Sequence, residues 1–486
     1  MDSGLHHSTS QELAAHQKSI AFPEEKYYLC RMFSEHDIQK GLRVAIWEGC
    51  FATVHITLTT GAFLTGFALM LGVNDFQVAL LTAIPLLTQV LQIFSVHVIE
   101  RVGRRKLISG VFSLFGRTLW ALVVLLPFLV QRKSQSVGIF LVIFTIISMA
   151  MSFSGAPWLS WMADLVPAKI RGRYFGQRNM ILGIITMATS ILAGRILDHY
   201  KSLNQLPIGF LIVELFAVFC AIIAFGFLLR QPEPPYQRTP SYSFLNMLKQ
   251  PFQTEKFKKL LTFYLFYIFA VGLAIGYFPV YLLKTLRWSF STIALLSIGT
   301  SLVSLVAQPL WGVLMDRVGH KPVIKITALG LIPVPILYLI ATPDHSFPIW
   351  LDICFTGVFW SGFNLVMFNM VFHTLPQHGR LGFLAVNSAL VGVTNFIAMI
   401  FGGWLAQHFA SFQFHFLGQI WINYHFLFGL TLILRIAAIP LIDKLEEPEA
   451  KSVSRMLRWL FLMINRHLGL EQIAWLFNRS NGKSGS

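Results

Sequence analysis

The chain has 486 residues; 55% are apolar, only 12% are charged, and Phe alone contributes 44. Length would allow about three soluble domains, but a soluble globule carries about a quarter charged residues, so composition excludes that class. The 38 Lys and Arg against 22 Asp and Glu raise nucleic acid as a partner, yet these bases sit in short loops between apolar runs, where they set membrane orientation instead.

In chain order, the first forty residues are polar and lack the basic, apolar and small-residue series of a signal peptide, so none is expected. Ser34-Glu-His-Asp37 has the pattern of a capping box and predicts a short helix feeding the first span. Six apolar spans follow near 44–70, 77–98, 107–130, 138–164, 180–198 and 208–229. Six more lie near 260–284, 292–315, 323–342, 349–374, 383–409 and 422–442. Many approach the roughly 20 residues a helix needs to cross a bilayer. The polar, proline-rich stretch "RQPEPPYQRTPSYSF" opens a linker between the two sets. After the last span, "SRMLRWLFLMINRHLGLEQIAWLF" is basic, aromatic and too broken to span, and reads as an amphipathic helix on the cytoplasmic leaflet. The fold class is an all-α polytopic membrane protein. Its expected divisions are a terminal segment 1–43, a first six-helix bundle 44–229, a linker 230–259, a second bundle 260–445 and a tail 446–486.

Orientation follows from the bases. Placing both termini and the linker on one side gives that side 30 of the 38, while the opposite side receives Arg132, Lys133, Lys201, Lys284 and Arg287. Both termini are therefore expected in the cytoplasm, in a plasma or inner membrane. Cys50, Cys220 and Cys354 lie in apolar runs and Cys30 in the polar start, so neither a disulfide nor a metal site is expected.

The chain also repeats itself. "VIERVGRRKL" from Val98 aligns without a gap on "LMDRVGHKPV" from Leu314, at an offset of 216 residues. Acid falls on acid (Glu100, Asp316), Arg101 on Arg317 and Gly103 on Gly319. "LVPAKIRGRYFG" matches "TLPQHGRLGFLA" at an offset of 209, so an indel of about seven residues separates the two alignments. Two six-span halves in parallel orientation are one of the known transporter plans.

These loops resemble the Gly-x-x-x-Asp-Arg-x-Gly-Arg-Arg signature of the major facilitator superfamily. The second copy has Gly312, Asp316, Arg317 and Gly319; the first has Glu100, Arg101, Gly103, Arg104 and Arg105, with Val96 in place of the first Gly. The resemblance covers about residues 40–445 and implies twelve transmembrane helices in two six-helix pseudo-repeats. It implies that Glu100 faces the start of the eleventh span and Asp316 the start of the fifth, where unpaired N–H groups favour a carboxylate. It also implies that Arg104 pairs with Asp164, the contacts together latching an outward-open state. A plainer reading leaves the bases to fix topology alone.

Charges at membrane depth cost roughly 2.5–3.5 kcal/mol each and need a reason. Arg117 lies ten residues into the third span, with Glu48 in the first span as its expected partner; structural pairing and substrate contact both stand. Glu214 and Arg435 lie on outer spans and are read as structural. His55 is either a hydrogen-bonded packing residue or a proton carrier. In the superfamily the first, fourth, seventh and tenth spans line the cavity, which makes Trp158, Trp161, Trp360, Asn364 and Asn369 the expected wall, with Asn387 and Asn395 behind them. The alternative is an aromatic and amide packing seam. Pro157 is expected to bend the fourth span.

No nucleotide-binding Gly-rich loop occurs, and no cluster stands at catalytic or metal spacing. A monomeric secondary transporter without cofactor is expected, with proton-coupled export of an amphiphilic or neutral solute ahead of uptake of a sugar-like nutrient. A transporter-like sensor or scaffold is the remote alternative.

Overall fold

The computed structural model describes residues 34–167, 170–235, 254–374, 380–416 and 419–447. Eleven of its helices are long and apolar enough to cross a membrane, and a shorter apolar helix, Asp75–Leu91, supplies the twelfth span.

The predicted capping box is present. The Ser34 hydroxyl accepts from the Asp37 N–H and the Asp37 carboxylate accepts from the Ser34 N–H, both at 3.1 Å. The helix it starts is not separate: it runs straight into the first span. That span, α1, is Glu35–Leu58 continued by Gly61–Leu71. The hydroxyls of Thr59 and Thr60 bond back to the carbonyls of His55 and Ile56, and Gly61 takes φ +59° at the break. α2 is Asp75–Thr88 and Gln92–Val102 joined by a tight turn, past Pro85, which removes one ladder bond. The first half continues with α3 (Arg105–Thr118 and Trp120–Leu129), α4 (Lys133–Leu165), α5 (Arg171–Ser202) and α6 (Leu206–Leu229). Pro157 lies inside α4, as read from the sequence.

The second half holds α7 (Glu255–Ile275, extended through a π turn at Tyr281–Thr285), α8 (Phe290–Val318) and α9 (His320–Gly330 and Pro333–Ile340). α10 is Pro348–Phe355, a π turn Thr356–Trp360, then Ser361–Thr374. α11 is Arg380–His408 and α12 Asn423–Asp443. A small antiparallel hairpin, β1 (Phe414–Phe416) and β2 (Gln419–Trp421), joins the last two.

With twelve spans, the described chain enters the first and leaves the last on one face of the membrane, here the terminal side, and the opposite face is the far side. Gly103 and Gly319 end α2 and α8 on the terminal side with φ of +69° and +92°. A side chain there would be strained, which accounts for glycine at the same place in both repeats. Within each half the helices are close-packed, α3 on α4 and α6 on α1 in the first, α7 on α11 and α12 in the second. The perimeter is apolar: Val142, Phe219 and Ile433 are each more than half exposed, as lipid-facing residues are.

Between the halves, α2 meets α11, α5 meets α8, and the far end of α1 meets α7 and α8. A Cβ added at Gly194 of α5 would lie 2.9 Å from the Ser291 backbone, and one at Gly403 of α11 would lie 2.3 Å from the Ala79 Cβ. Only glycine allows so close an approach. Both positions are at the far side. The terminal-side piece of α2, Gln92–Val102, packs on α4 of its own half.

Candidate functional site

Four of the sequence candidates converge inside the first half. Glu48 and His55 on α1, Arg117 on α3 and Trp158 on α4 lie about one to two turns apart in depth, and the first three are at least 92% buried. The structure adds a fifth member, Arg178 of α5. Its Nη2 is 3.9 Å from the Glu48 carboxylate and its guanidinium lies over the Trp158 ring at 5.0 Å. Gly49 makes room for it, since a Cβ there would fall 2.6 Å from that nitrogen.

The expected Glu48–Arg117 ion pair is therefore corrected. Arg117 attracts Glu48 through space, but the guanidinium nearest the carboxylate is Arg178. The reason is geometric: α5 begins at Arg171, so Arg178 lies two turns inside a helix that packs on α1, not in a loop. The His55 ring meets the Arg117 carbonyl at 3.3 Å, the hydrogen-bonded packing role.

The remaining wall candidates separate. Trp161 is fully buried, packs among Ile38, Leu42 and Ala45, and donates to the Pro232 carbonyl at 2.9 Å, so it fastens the α6 exit and lines no cavity. Trp360 ends the π turn of α10 half-buried and stacks on Phe363; Asn364 is exposed. Asn369 and Asn395 each donate to a carbonyl four residues back on their own helix, and Asn387 is half-buried. A groove of about 480 Å³ along α8, lined by Leu302, Val306, Leu310 and Val358 among others, is entirely apolar and contains none of these candidates. Arg435 ties α12 to the Leu331 carbonyl at 2.8 Å; Glu214 is fully buried and neither carboxyl oxygen has a hydrogen-bond partner.

On the terminal side the charge pairing differs by one residue from expectation. Asp164 is met by Arg105 at 2.5 Å, not by Arg104. Arg104 precedes the first turn of α3 and is exposed, while Arg105 opens the helix, is fully buried, and also reaches Ser160 and the Pro234 carbonyl. Glu233 accepts from the Lys106 N–H at the same helix start, at 3.0 Å. The second half repeats this: Glu447 accepts from the His320 and Lys321 N–H groups at 2.9 and 2.6 Å at the start of α9. Burial works to raise the Glu447 carboxyl, but the His320 ring and those two N–H groups outweigh it and hold it down at about 2. Arg101, Asp316 and Arg317 are exposed, and Gly312 packs loosely against Leu365. The side chains of Glu100 and of the first six residues of α11 lie outside the described residues, as does the tail read as an amphipathic helix.

The far side carries contacts that sequence reading missed. Asp198, at the end of α5, accepts from the N–H groups of Phe290 and Ser291 at 2.8 and 2.9 Å, capping α8 across the two halves. Asp75, at the start of α2, accepts from the Asn423 amide and the Tyr424 hydroxyl of α12, both at 2.7 Å, with Lys284 at 3.5 Å. The Asp75 carbonyl accepts from Tyr277 at 2.8 Å. Between described residues, every hydrogen bond and ion pair that joins the halves is one of these.

The fold matches solved structures of low sequence identity. A nucleoside transporter, NupG, aligns with TM-score 0.59 and 13% identity over 84% of this chain and 98% of its own. A D-xylose–proton symporter gives 0.60 and 17% over 84% and 98%. A bacterial homologue of the human lysosomal transporter Spinster, inward-facing and occupied, gives 0.59 and 15% over 86% and 100%. Comparison with curated proteins finds no sequence match. The sequence model described as Major Facilitator Superfamily matches residues 49–263 and again 260–478, one copy for each half. Two matched repeats, twelve spans and this architecture together place the chain in the major facilitator superfamily, to which it belongs.

Proposed function

We propose that this protein is a secondary transporter with cytoplasmic termini that exports an amphiphilic or neutral solute by alternating access, coupled to protons. One observation supports the alternating-access reading: among the described residues, the hydrogen bonds and ion pairs between the halves lie at the far side, as in a form open to the terminal side. Breaking that closure and forming one at the opposite side is the motion a rocking-bundle transporter makes. Cytoplasmic termini rest on the 30 bases of the terminal side. The two acids Glu100 and Asp316 and their loops are assigned to the alternate closure, and Glu48 to the coupling proton, released or held according to its distance from Arg178. Uptake is the second reading, favoured by the nucleoside transporter and the xylose–proton symporter among the similar structures.

The test is transport of labelled solutes by the purified protein in proteoliposomes under an imposed pH gradient of either sign. The gradient direction that drives accumulation decides export or uptake. In Glu48→Gln, gradient-driven transport is expected to vanish while solute exchange without a gradient survives. Loss of both in folded protein makes Glu48 a structural residue and ends the proton assignment.

A further inference from the structure

The charged cluster of the first half is not balanced. Two guanidiniums, Arg117 and Arg178, face one carboxylate, Glu48, inside the membrane-spanning bundle. An uncompensated charge there is costly and calls for a partner.

Nor are the donors used. An arginine has five N–H donors. The other buried or half-buried arginines of the described residues also carry an unpartnered Nε, but each donates from a terminal nitrogen: Arg105 to Asp164, Ser160 and Pro234, Arg171 to the Ala163 carbonyl, Arg435 to the Leu331 carbonyl. Arg117 and Arg178 alone among them donate no side-chain hydrogen bond to any described residue. The facing Oε2 of Glu48 is also buried and accepts none, because 3.9 Å to Arg178 is an attraction and not a hydrogen bond. Protein structures rarely leave buried donors in this condition without a role for them.

The surroundings hold Arg178 in place without consuming its fork. Trp158 engages one face of the guanidinium and Gly49 admits it against α1, so the charge is fixed in place while its donors stay unpaired.

We infer that Arg178, with Arg117 behind it, is the seat for an acidic group on the transported solute, so that the cargo is an amphiphilic monoanion bearing a carboxylate or a phosphodiester. This rests on the transporter reading above and narrows its solute class from amphiphilic or neutral to amphiphilic and acidic. One anion neutralises the cluster; Glu48 holds the second arginine's charge and limits the site to a single acidic group.

The experiment uses the full-length purified protein and matched small probes: benzoate against benzamide, and diphenyl phosphate against its neutral methyl ester, read by thermal shift and equilibrium binding. The anionic member of at least one pair is expected to bind and its neutral counterpart not to. R178Q should weaken that binding about 10- to 100-fold, the range set by losing charge-assisted hydrogen bonds. R178K, which keeps the charge but lacks the fork, should fall between. E48Q should bind the anion at least as tightly as the wild type, because a competing carboxylate is gone. R178K and E48Q keep the test decisive if R178Q does not fold. Equal binding of acid and amide, or an anion affinity unchanged in R178Q, overturns the inference. So does binding of no anion at all; gradient-driven movement of a neutral solute in the same preparation would then leave the transporter reading standing.

Discussion

The two faces of this protein use charge in opposite ways. On the terminal side, bases are abundant, and the pairs they make between described residues stay within a half: Arg105 with Asp164 and Lys106 with Glu233 in one, His320 and Lys321 with Glu447 in the other. On the far side charges are few, and two of its acids, Asp75 and Asp198, reach across. The number of charges on a face therefore says little about where the halves are held together. What counts is whether an acid's partner belongs to the other half. The terminal-side pairs join helices of one half, and the far-side pairs join one half to the other.

The strongest way to break this contrast is to remove both acids that reach across. Their side chains accept four hydrogen bonds from the other half, and bonds to charged groups contribute about 1.5–3 kcal/mol each, so Asp75→Ala with Asp198→Ala should shift the balance between the two access states by at least about 100-fold. Spin labels on Lys201→Cys and Asp344→Cys, both at exposed far-side positions, should report a longer distance than in the parent. An unchanged distance would mean that apolar packing alone keeps the far side shut.

A wedge should act in the same direction with less force. Gly403→Leu places a side chain where Ala79 already lies, and overpacking of this kind costs about 1–3 kcal/mol. The same label pair should lengthen, by a smaller population change. Failure to lengthen in this variant would show that α11 tilts to absorb the bulk.

The terminal-side pairs should leave that distance alone. Arg105→Gln is expected to lower thermal stability, because it leaves Asp164 and Ser160 without their buried partner, yet to keep the far-side separation of the parent. Arg104→Gln should change neither. Joint reversal, Arg105→Asp with Asp164→Arg, should recover part of the lost stability; a swap made at Arg104 should not. A far-side change in Arg105→Gln would end this division of labour between the faces.

The smallest effect belongs to Glu447 and is set by pH. Its carboxyl is held at about 2, below the ordinary value of 4.5. A depressed folded value adds stability that is fully present above the unfolded value and is lost as pH falls through the folded one. The stability difference between the parent and Glu447→Gln should therefore be constant near neutrality and shrink from about pH 4.5 toward 2. A difference that persists unchanged at acid pH would assign the effect to packing.

The architecture was legible because its signals are local and additive: span length, the Lys and Arg count in loops, and a repeated loop whose glycines need positive φ. The site was legible only in part. Glu48, His55, Arg117 and Trp158 stand out because each is a polar or aromatic residue inside an apolar span. Arg178 does not, because apolarity places the start of the fifth span near 180, while the helix itself begins at Arg171; hydropathy marks the bilayer, not the helix. Trp161 was misplaced because spacing along a helix gives a face but not what packs against it. Asp75 and Asp198 sit at helix ends, where acids are ordinary, and nothing local says their partners are 92 or 349 residues away. The Glu-Pro pair after each half is readable at offset 214, Glu233-Pro234 on Glu447-Pro448, but lies outside the two pairs of aligned loops.

The length of α4 has a consequence for how the two halves diverged. It holds 33 residues, whereas its counterpart α10 ends at Thr374 after starting only at Pro348, in keeping with the change of offset from 216 to 209 between the two loops that flank this region. Seven residues are close to two helical turns, and such an insertion rotates the rest of the helix by only about 20°. A helix can therefore gain seven residues after gene duplication and still present the same stripe to its neighbours, whereas a gain of five or nine would turn its buried face toward lipid.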